Sequence, residues 1–309
     1  MNPNPQQIAN KLQGIRAKVV FDLPLGAHTT YEIGGPADVA IMPQTLQDLA
    51  QTVRILHELC VPFVVIGGGS NILVSDIGVR GAVVLTAALK QISVVDQKIV
   101  AGAGAQSHQV AVAAKNADLS GAEFLAFLPG TLGGACFMNA TAYGSEISKV
   151  LAEAQTVDSR GELKRVLLTP EMFSYKHSPF QDSKETIAQA TLTLQPGDPA
   201  QIQTKMDEIQ RSRREKKEMD FPCCGCVFKN NYEIGIPSWK LIDECGLRGF
   251  RIGDAQVAPH HANFVINTGN ATATQVMQVI KHVRKTVHEK TGHLLELEVQ
   301  VIGEWDEKR

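Results

Sequence analysis

The sequence predicts an α+β protein built from several lobes. Three observations carry that reading. Its 309 residues exceed the roughly 100–200 that one domain commonly holds. Runs with strand spacing and runs with helix spacing are interleaved along the chain without a repeat. A turn-rich segment, QPGDPA at 195–200, separates a strand-rich stretch from a long charged helix.

The elements follow in order. Residues 1–18 read as a polar leader with a short helix. TTYEIGGPADVAIMP (29–43) places turn residues between short alternating runs. From Gln44 to Cys60, Leu46, Leu49, Val53, Ile55, Leu56 and Leu59 recur at helical spacing. VPFVVIGGGSN then reads as a buried strand entering a glycine turn. GAVVLTAAL and ISVVDQKIVAGAG read as strands, and QVAVAAKNA as a helix. LPGTLGGACFMNATAYG (128–144) is too rich in glycine for a plain helix or strand. AEAQTVDS, LKRVLLT and AQATLTL are strand-like. QIQTKMDEIQRSRREKKEMD is a charged helix whose RSRREKK run makes a solvated face. ATQVMQVIKHVRKTVHEKTG is a second long helix, and LLELEVQVIG a closing strand. These runs divide the chain into a leader (1–18), two lobes (19–92 and 93–197) and a third domain (198–309).

Composition narrows the function classes. Hydrophobic residues make up 44% and charged residues 20%, as in ordinary folded chains. Thirty basic against 32 acidic residues leave a net charge of −2, which gives no global support for a nucleic-acid or anionic-membrane partner. No apolar run approaches the roughly 18 residues of a membrane span. The start, MNPNPQQIANKLQGIR, lacks the apolar centre of a secretory signal. A soluble cytoplasmic protein is the expectation. Its six cysteines are then expected as free thiols.

Glycine clusters point to an anionic ligand. Gly67, Gly68, Gly69, Ser70 and Asn71 follow a strand. Glycine lets backbone N–H groups approach a ligand closely, and successive N–H groups form a concavity that suits phosphate. No Gly-Lys-Ser/Thr follows, so this is not a P-loop. The third glycine of a Rossmann fingerprint would fall at Ile72. Alone, the cluster fits a tight structural turn equally well. Pro129, Gly130, Thr131, Gly133 and Gly134 form a second cluster, and Gly102 with Gly104 a third. Together they suit one long ligand of dinucleotide length, held by a fold other than Rossmann.

Eight segments occur in order: TTYEIGGPAD, VVIGGGSNILVSDIGVRG, LPGTLGGACFMNATAYGSEI, YKHSPF, GCVFKN, LIDECGLRG, HANFVIN and LELEVQVIG. They resemble the motifs of the UDP-N-acetylenolpyruvoylglucosamine reductase (MurB) family, in its shorter subtype without an extra insertion. The likeness runs from about residue 20 to 304. It implies a two-lobed FAD-binding domain of the vanillyl-alcohol-oxidase-like type, followed by a C-terminal α+β substrate domain. It implies reduction of the enolpyruvyl ether of UDP-N-acetylglucosamine enolpyruvate to UDP-N-acetylmuramate in peptidoglycan precursor synthesis. FAD and NADPH are the implied cofactors. The flavin is expected along Gly67, Gly68, Gly69, Ser70, Asn71, Pro129, Gly130, Thr131, Gly133, Gly134 and Asn139.

Hydride addition to an enolpyruvyl group builds negative charge at its carboxylate end, and a donor must then protonate the new carbanion-like carbon. The family uses an arginine, a serine and a glutamate. Here the matching positions are Lys176 in Tyr-Lys-His-Ser, Cys226 in Gly-Cys-Val-Phe, and Glu298 before Val299. Glu296 would share the face of Glu298 if this is a strand. Lysine keeps the charge but loses the planar fork of arginine, and nothing in the sequence shows whether Arg165 or Arg248 compensates. A thiol, with a reference pKa near 8.5, remains largely protonated at neutral pH and can donate. Tyr175, Lys229, Asn230 and His261 match substrate-binding positions. Milder departures are Phe127, Thr141 and His260.

Three other readings stand beside this one. Cys223 and Cys226 form a C-x-x-C, open to a metal or a redox reading, but there is no second such pair, His260 and His261 are adjacent, and a thioredoxin-like βαβ context is missing, so no metal is expected. A flavin oxidase of the same fold would share the glycine loops, though not the C-terminal motifs. A non-catalytic paralogue that binds FAD or a nucleotide sugar would be compatible with Lys176.

Overall fold

A computed structural model describes residues 4–218 and 220–306. Residues 1–3 of the polar leader, Met219 after the charged helix and residues 307–309 of the third domain lie outside the described residues. The remaining leader forms the helix Pro5–Lys11, started by an Asn4–Gln7 capping box. The chain groups into two compact units. One holds the chain up to Asp22, Asp38–Gly68 and Gly81–Ser212; the other holds Leu23–Ala37, Gly69–Arg80 and the chain from Arg213 on.

Two sheets organise the first unit. One runs in the order Ala17–Pro24, Pro36–Pro43, Val79–Leu85, Phe63–Ile66, with the last two strands parallel. The helix Leu46–Glu58 buries Leu49, Val53 and Leu56 against Val39, Ile41 and Val84 of this sheet. Thr45 caps that helix by accepting from the Asp48 N–H. The second sheet has five antiparallel strands in the order Leu163–Leu167, Leu151–Val157, Thr186–Thr193, Lys98–Gly102, Ile92–Val95. The helices Ser107–Asn116 and Leu132–Phe137 contribute Val110, Ala111, Leu132 and Cys136 to its core.

The second unit has a four-stranded antiparallel sheet: Cys223–Cys226, Phe264–Asn267, Ala255–Val257, Arg251–Ile252. The helix Ala273–Thr291 buries Val276, Val279, Ile280, Val283 and Val287, one stripe at helical spacing, in the core that also holds Val257 and Val265. Its N-terminus is capped by Thr272 and Gln275, and the Asp76 carboxylate accepts from the Ala273 and Thr274 N–H groups at 2.7 and 2.8 Å. Ile72–Val74 pairs in parallel with Gln300–Ile302.

Three expectations change. The closing strand is only Gln300–Ile302, with Leu297 in an isolated bridge to Phe228. Its alternating pattern instead serves two separate pairings. The glycine-rich segment 128–144 contains a six-residue helix, Leu132–Phe137. Gly133 fits there because a Cβ would crowd Ala103. QPGDPA is not an open linker: Gln195–Pro196 pairs with Leu119–Ser120, and a helix begins at Pro199. Among the described residues no helix is long and apolar enough to cross a membrane.

Candidate active site

The first unit brings two glycine loops together. A Cβ on Gly67 would collide with the Thr131 hydroxyl, and one on Gly68 would lie 2.6 Å from Gly130 Cα. Close approach of the loops therefore explains these glycines without any ligand. Gly134 is different. It is exposed, and a Cβ there would meet only Thr131 Oγ1, at 3.7 Å. That same oxygen is buried and has no hydrogen-bond partner among the described residues. A buried orphan hydroxyl costs about 1–3 kcal/mol unless something satisfies it. Gly102 and Gly104 fit tightly against the carbonyls of Leu89 and Thr86.

Lys176 sits in the first unit on a tight turn. The Ser174 N–H donates to the His177 carbonyl at 3.2 Å, and the His177 N–H returns to Ser174 at 3.1 Å. Lys176 takes the left-handed conformation, φ 58°. Its ammonium lies 5.8 Å from the Tyr175 ring centre, so aromatic face and cation support each other. Asn139 anchors the turn. Its Nδ2 donates to the Ser174 carbonyl at 3.0 Å, and its Oδ1 accepts from the Ser148 N–H at 3.0 Å. Both ends of this buried amide are thus used within the chain. Below the turn, Ser178 and Gln181 both donate to the Phe137 carbonyl.

The second unit brings Cys226 and Glu298 into one paired region. The Glu298 N–H donates to the Val227 carbonyl at 2.8 Å, and the Lys229 N–H donates to Glu296 at 2.9 Å. Residues 227–229 and 296–298 therefore lie side by side. Asn263 locks this region: Phe228 N–H donates to its Oδ1 at 2.9 Å, and its Nδ2 donates to the Phe228 carbonyl at 2.8 Å. Asn71 fixes the other side of Glu298. Its Nδ2 donates to the Glu298 carbonyl at 3.1 Å, and its own carbonyl accepts from Gln300 at 2.9 Å. The loop 69–71 thus positions the glutamate. Gly69, at φ 63°, needs to be glycine because a Cβ would strike the His28 carbonyl. Ser70 is half-buried beside it.

The cysteine run lies between two clusters. Cys224 belongs to the main core of this unit with Tyr31, Cys226 packs against Ala258, Phe264 and Ile266, and Cys223 touches both. Burial pushes the Cys224 thiol well above its usual range, and the neighbouring Cys223 and the Glu298 carboxylate push it the same way. Burial, then Cys224, raises the Tyr31 hydroxyl too. These two groups stay protonated, and Glu298, whose charge is felt by Cys224, is 9% exposed. Tyr31 and Asn263 were not singled out by sequence reasoning, although both sit inside quoted motifs.

Lys229 Nζ pairs with Glu296 at 2.6 Å, and Asn230 Oδ1 accepts from the Ser238 N–H at 3.0 Å. His261 is held neutral. Burial, then the neighbouring His260, lowers its pKa to about 4, and its Nδ1 accepts from the Asn263 N–H. Arg165 and Arg248 are engaged elsewhere, with Glu153 at 2.6 Å and with Asp243 at 2.5 Å. Among the described residues no group of three or more His, Cys, Asp or Glu side chains could hold a metal ion.

Comparison with known proteins decides the family. The profile of the UDP-N-acetylenolpyruvoylglucosamine reductase C-terminal domain matches residues 216–302, and that of an FAD binding domain matches 37–167. The UDP-N-acetylenolpyruvoylglucosamine reductase of Pediococcus pentosaceus is 42% identical, over 91% of this chain and 93% of its own. This chain belongs to the UDP-N-acetylenolpyruvoylglucosamine reductase family. The reductase of Carboxydothermus hydrogenoformans is likewise 42% identical, over 94% of this chain and 96% of its own. The crystal structure of the reductase (MurB) from Thermus caldophilus superposes with a TM-score of 0.77 at 31% identity, covering 93% of this chain and 99% of that one.

Within the family's two-part layout, the FAD binding domain contains both glycine loops, and the C-terminal domain contains Cys226, Lys229, Asn230, His261 and Glu298. Lys176 lies between the two matched segments. The residues fit FAD at one point: Gly134 leaves its backbone exposed beside the glycine loops, next to the buried Thr131 hydroxyl that has no partner among the described residues.

Proposed function

We infer that this chain is the reductase its family is named for. It converts UDP-N-acetylglucosamine enolpyruvate to UDP-N-acetylmuramate in peptidoglycan precursor synthesis. Near-full-length identity of 42% to reductases of this name carries the reading. Bound FAD supplies the hydride chemistry, with NADPH as the source of electrons. Residues 19–92 and 93–197 are taken as the two lobes of the FAD domain and 198–309 as the substrate domain. The FAD is assigned to Gly67, Gly68, Gly69, Ser70, Asn71, Pro129, Gly130, Thr131, Gly133 and Gly134, with Asn139 acting through the 174–177 turn. The cytoplasm is the proposed location.

The chain's own residues have distinct tasks. Lys176 places positive charge where the enolpyruvyl carboxylate gains electron density, which lowers the barrier to hydride arrival. Tyr175 steadies that ammonium through its ring face. The Cys226 thiol gives its proton to the carbon that has become carbanion-like. Glu298, clamped by Asn71 and by Val227, presents a carboxylate beside the same strand. Lys229 and Asn230 lie just beyond it and contact the nucleotide sugar. His261, neutral at physiological pH, offers a hydrogen bond without adding charge.

The test is product analysis. NADPH oxidation should depend on the enolpyruvyl nucleotide and yield UDP-N-acetylmuramate by mass. Glu298→Gln should lower kcat by roughly 10²–10⁴, the range for loss of an acid–base group. NADPH oxidation that ignores the nucleotide and consumes oxygen would instead identify a flavin oxidase.

A further inference from the structure

The CCGC strand holds a second chemical feature that proton donation does not use. Cys223 pairs with Ile266 and Cys226 with Phe264, two positions apart on the same neighbouring strand. Three residues of one strand therefore span two rungs of the other. Gly225, at φ 77°, makes this possible by bulging out of register. In an unbulged strand, positions 223 and 226 would face opposite sides. Here both side chains pack on the Ala258, Phe264 and Ile266 cluster, and Cys223 also touches the core that holds Cys224 and Tyr31.

We propose that Cys223 and Cys226 are a reversible thiol-oxidation site that closes to an intrastrand disulfide. Two rungs place the Cα atoms about 6.6 Å apart in an extended strand, at the upper end of the roughly 4.4–6.8 Å that a disulfide spans. Both cysteines are only half-buried, so a small oxidant reaches them. Burial holds the Cys223 thiol above its usual range, and the Gly225 N–H beside its sulfur offsets part of that shift. Cys224 is buried, unlike Cys223 and Cys226, so the oxidant reaches it least.

The oxidant is a hydroperoxide. It oxidises one thiol to a sulfenic acid, leaving one water from hydrogen peroxide. The second thiol attacks that sulfur, the S–O bond breaks, and a second water leaves with the remaining proton. Two thiols and one peroxide thus give one disulfide and two waters. A thiol reductant restores both thiols by exchange. That the bond also stops turnover rests on reading Cys226 as the proton donor. Formation of the bond does not.

The experiment uses the FAD-loaded full-length chain carrying Cys60→Ser, which removes the exposed thiol. It is treated with hydrogen peroxide, and the peptide from Glu218 to Lys229 is weighed with and without reduction. The expected result is loss of two hydrogens, reversed by dithiothreitol, with turnover lost and regained in parallel. Cys223→Ser should keep basal turnover but lose the hydrogen deficit, and its Cys226 should gain two oxygens that dithiothreitol does not remove. Cys223→Ala is the second variant if serine disturbs folding. Cys224→Ala should still form the bond. A bond that survives Cys223→Ser, or a peptide that gains oxygen without losing hydrogen in the parent chain, would overturn the proposal. A bond that forms and leaves turnover intact would keep the oxidation site and reject Cys226 as the donor.

Discussion

Cys226 is the residue on which the chemistry is most exposed to test. A thiol donor is lost as pH rises through its pKa, near 8.5 in an unperturbed cysteine, so kcat should fall on the alkaline side. Cys226→Ser should remove that alkaline limb and the sensitivity to iodoacetamide while retaining turnover. Cys226→Ala should lower kcat by about 10²–10⁴. His261 carries a different pH signature. Its pKa is lowered to about 4 in the folded chain, against about 6.5 unfolded. Between these values the unfolded chain binds the extra proton, so stability falls as pH drops from about 6.5 toward 4. His261→Gln should lose less melting temperature across that window. Cys226 and Glu298 can be proposed from sequence because each lies in a short motif whose chemistry is local. Tyr31 and Asn263 cannot, because their meaning lies in partners distant in sequence: Cys224 for one and Phe228 for the other.

At the scale of elements, the turn carrying Lys176 depends on Asn139. Asn139→Ala removes the donor to Ser174 and leaves the Ser148 N–H unmatched. A loss of about 1–3 kcal/mol is expected for an unsatisfied buried group, visible in denaturant unfolding, together with reduced kcat. The outcome that would contradict this is full stability with normal turnover. The long helices were readable because their apolar stripes are local: Leu49, Val53 and Leu56 in one, Val276, Val279, Ile280, Val283 and Val287 in the other. The closing strand was overread. LLELEVQVIG alternates like a strand, yet its first half pairs with 227–229 and its second with Ile72–Val74. Alternation reports which side chains face inward, not how many strands a segment joins.

For the whole molecule, cofactor and stability are linked. A ligand that binds only the folded chain stabilises it by about 2.7 kcal/mol at a hundredfold excess over Kd, so removal of FAD should lower the melting temperature. Thr131→Val tests that hydroxyl separately. It deletes the orphan hydroxyl, so the flavin-free chain should be as stable or more so, while FAD affinity drops. Unchanged affinity would show that this oxygen has no part in holding FAD. The division into compact units is the least legible level. Leu23–Ala37 and Gly69–Arg80 group with the chain from Arg213 on. The cause is pairing between distant segments, Thr30 with Cys223 and Ile72–Val74 with Gln300–Ile302. Sequence order and linker composition carry no trace of such pairing.

The central claim is that this chain takes electrons from NADPH and delivers them to the enolpyruvyl nucleotide. The direct measurement is the visible absorbance of the purified, FAD-loaded protein without oxygen, first with NADPH added and then with UDP-N-acetylglucosamine enolpyruvate. The account predicts that the yellow absorbance disappears on the first addition and returns on the second, with UDP-N-acetylmuramate as product. Absorbance that disappears and stays lost after the nucleotide is added would contradict it.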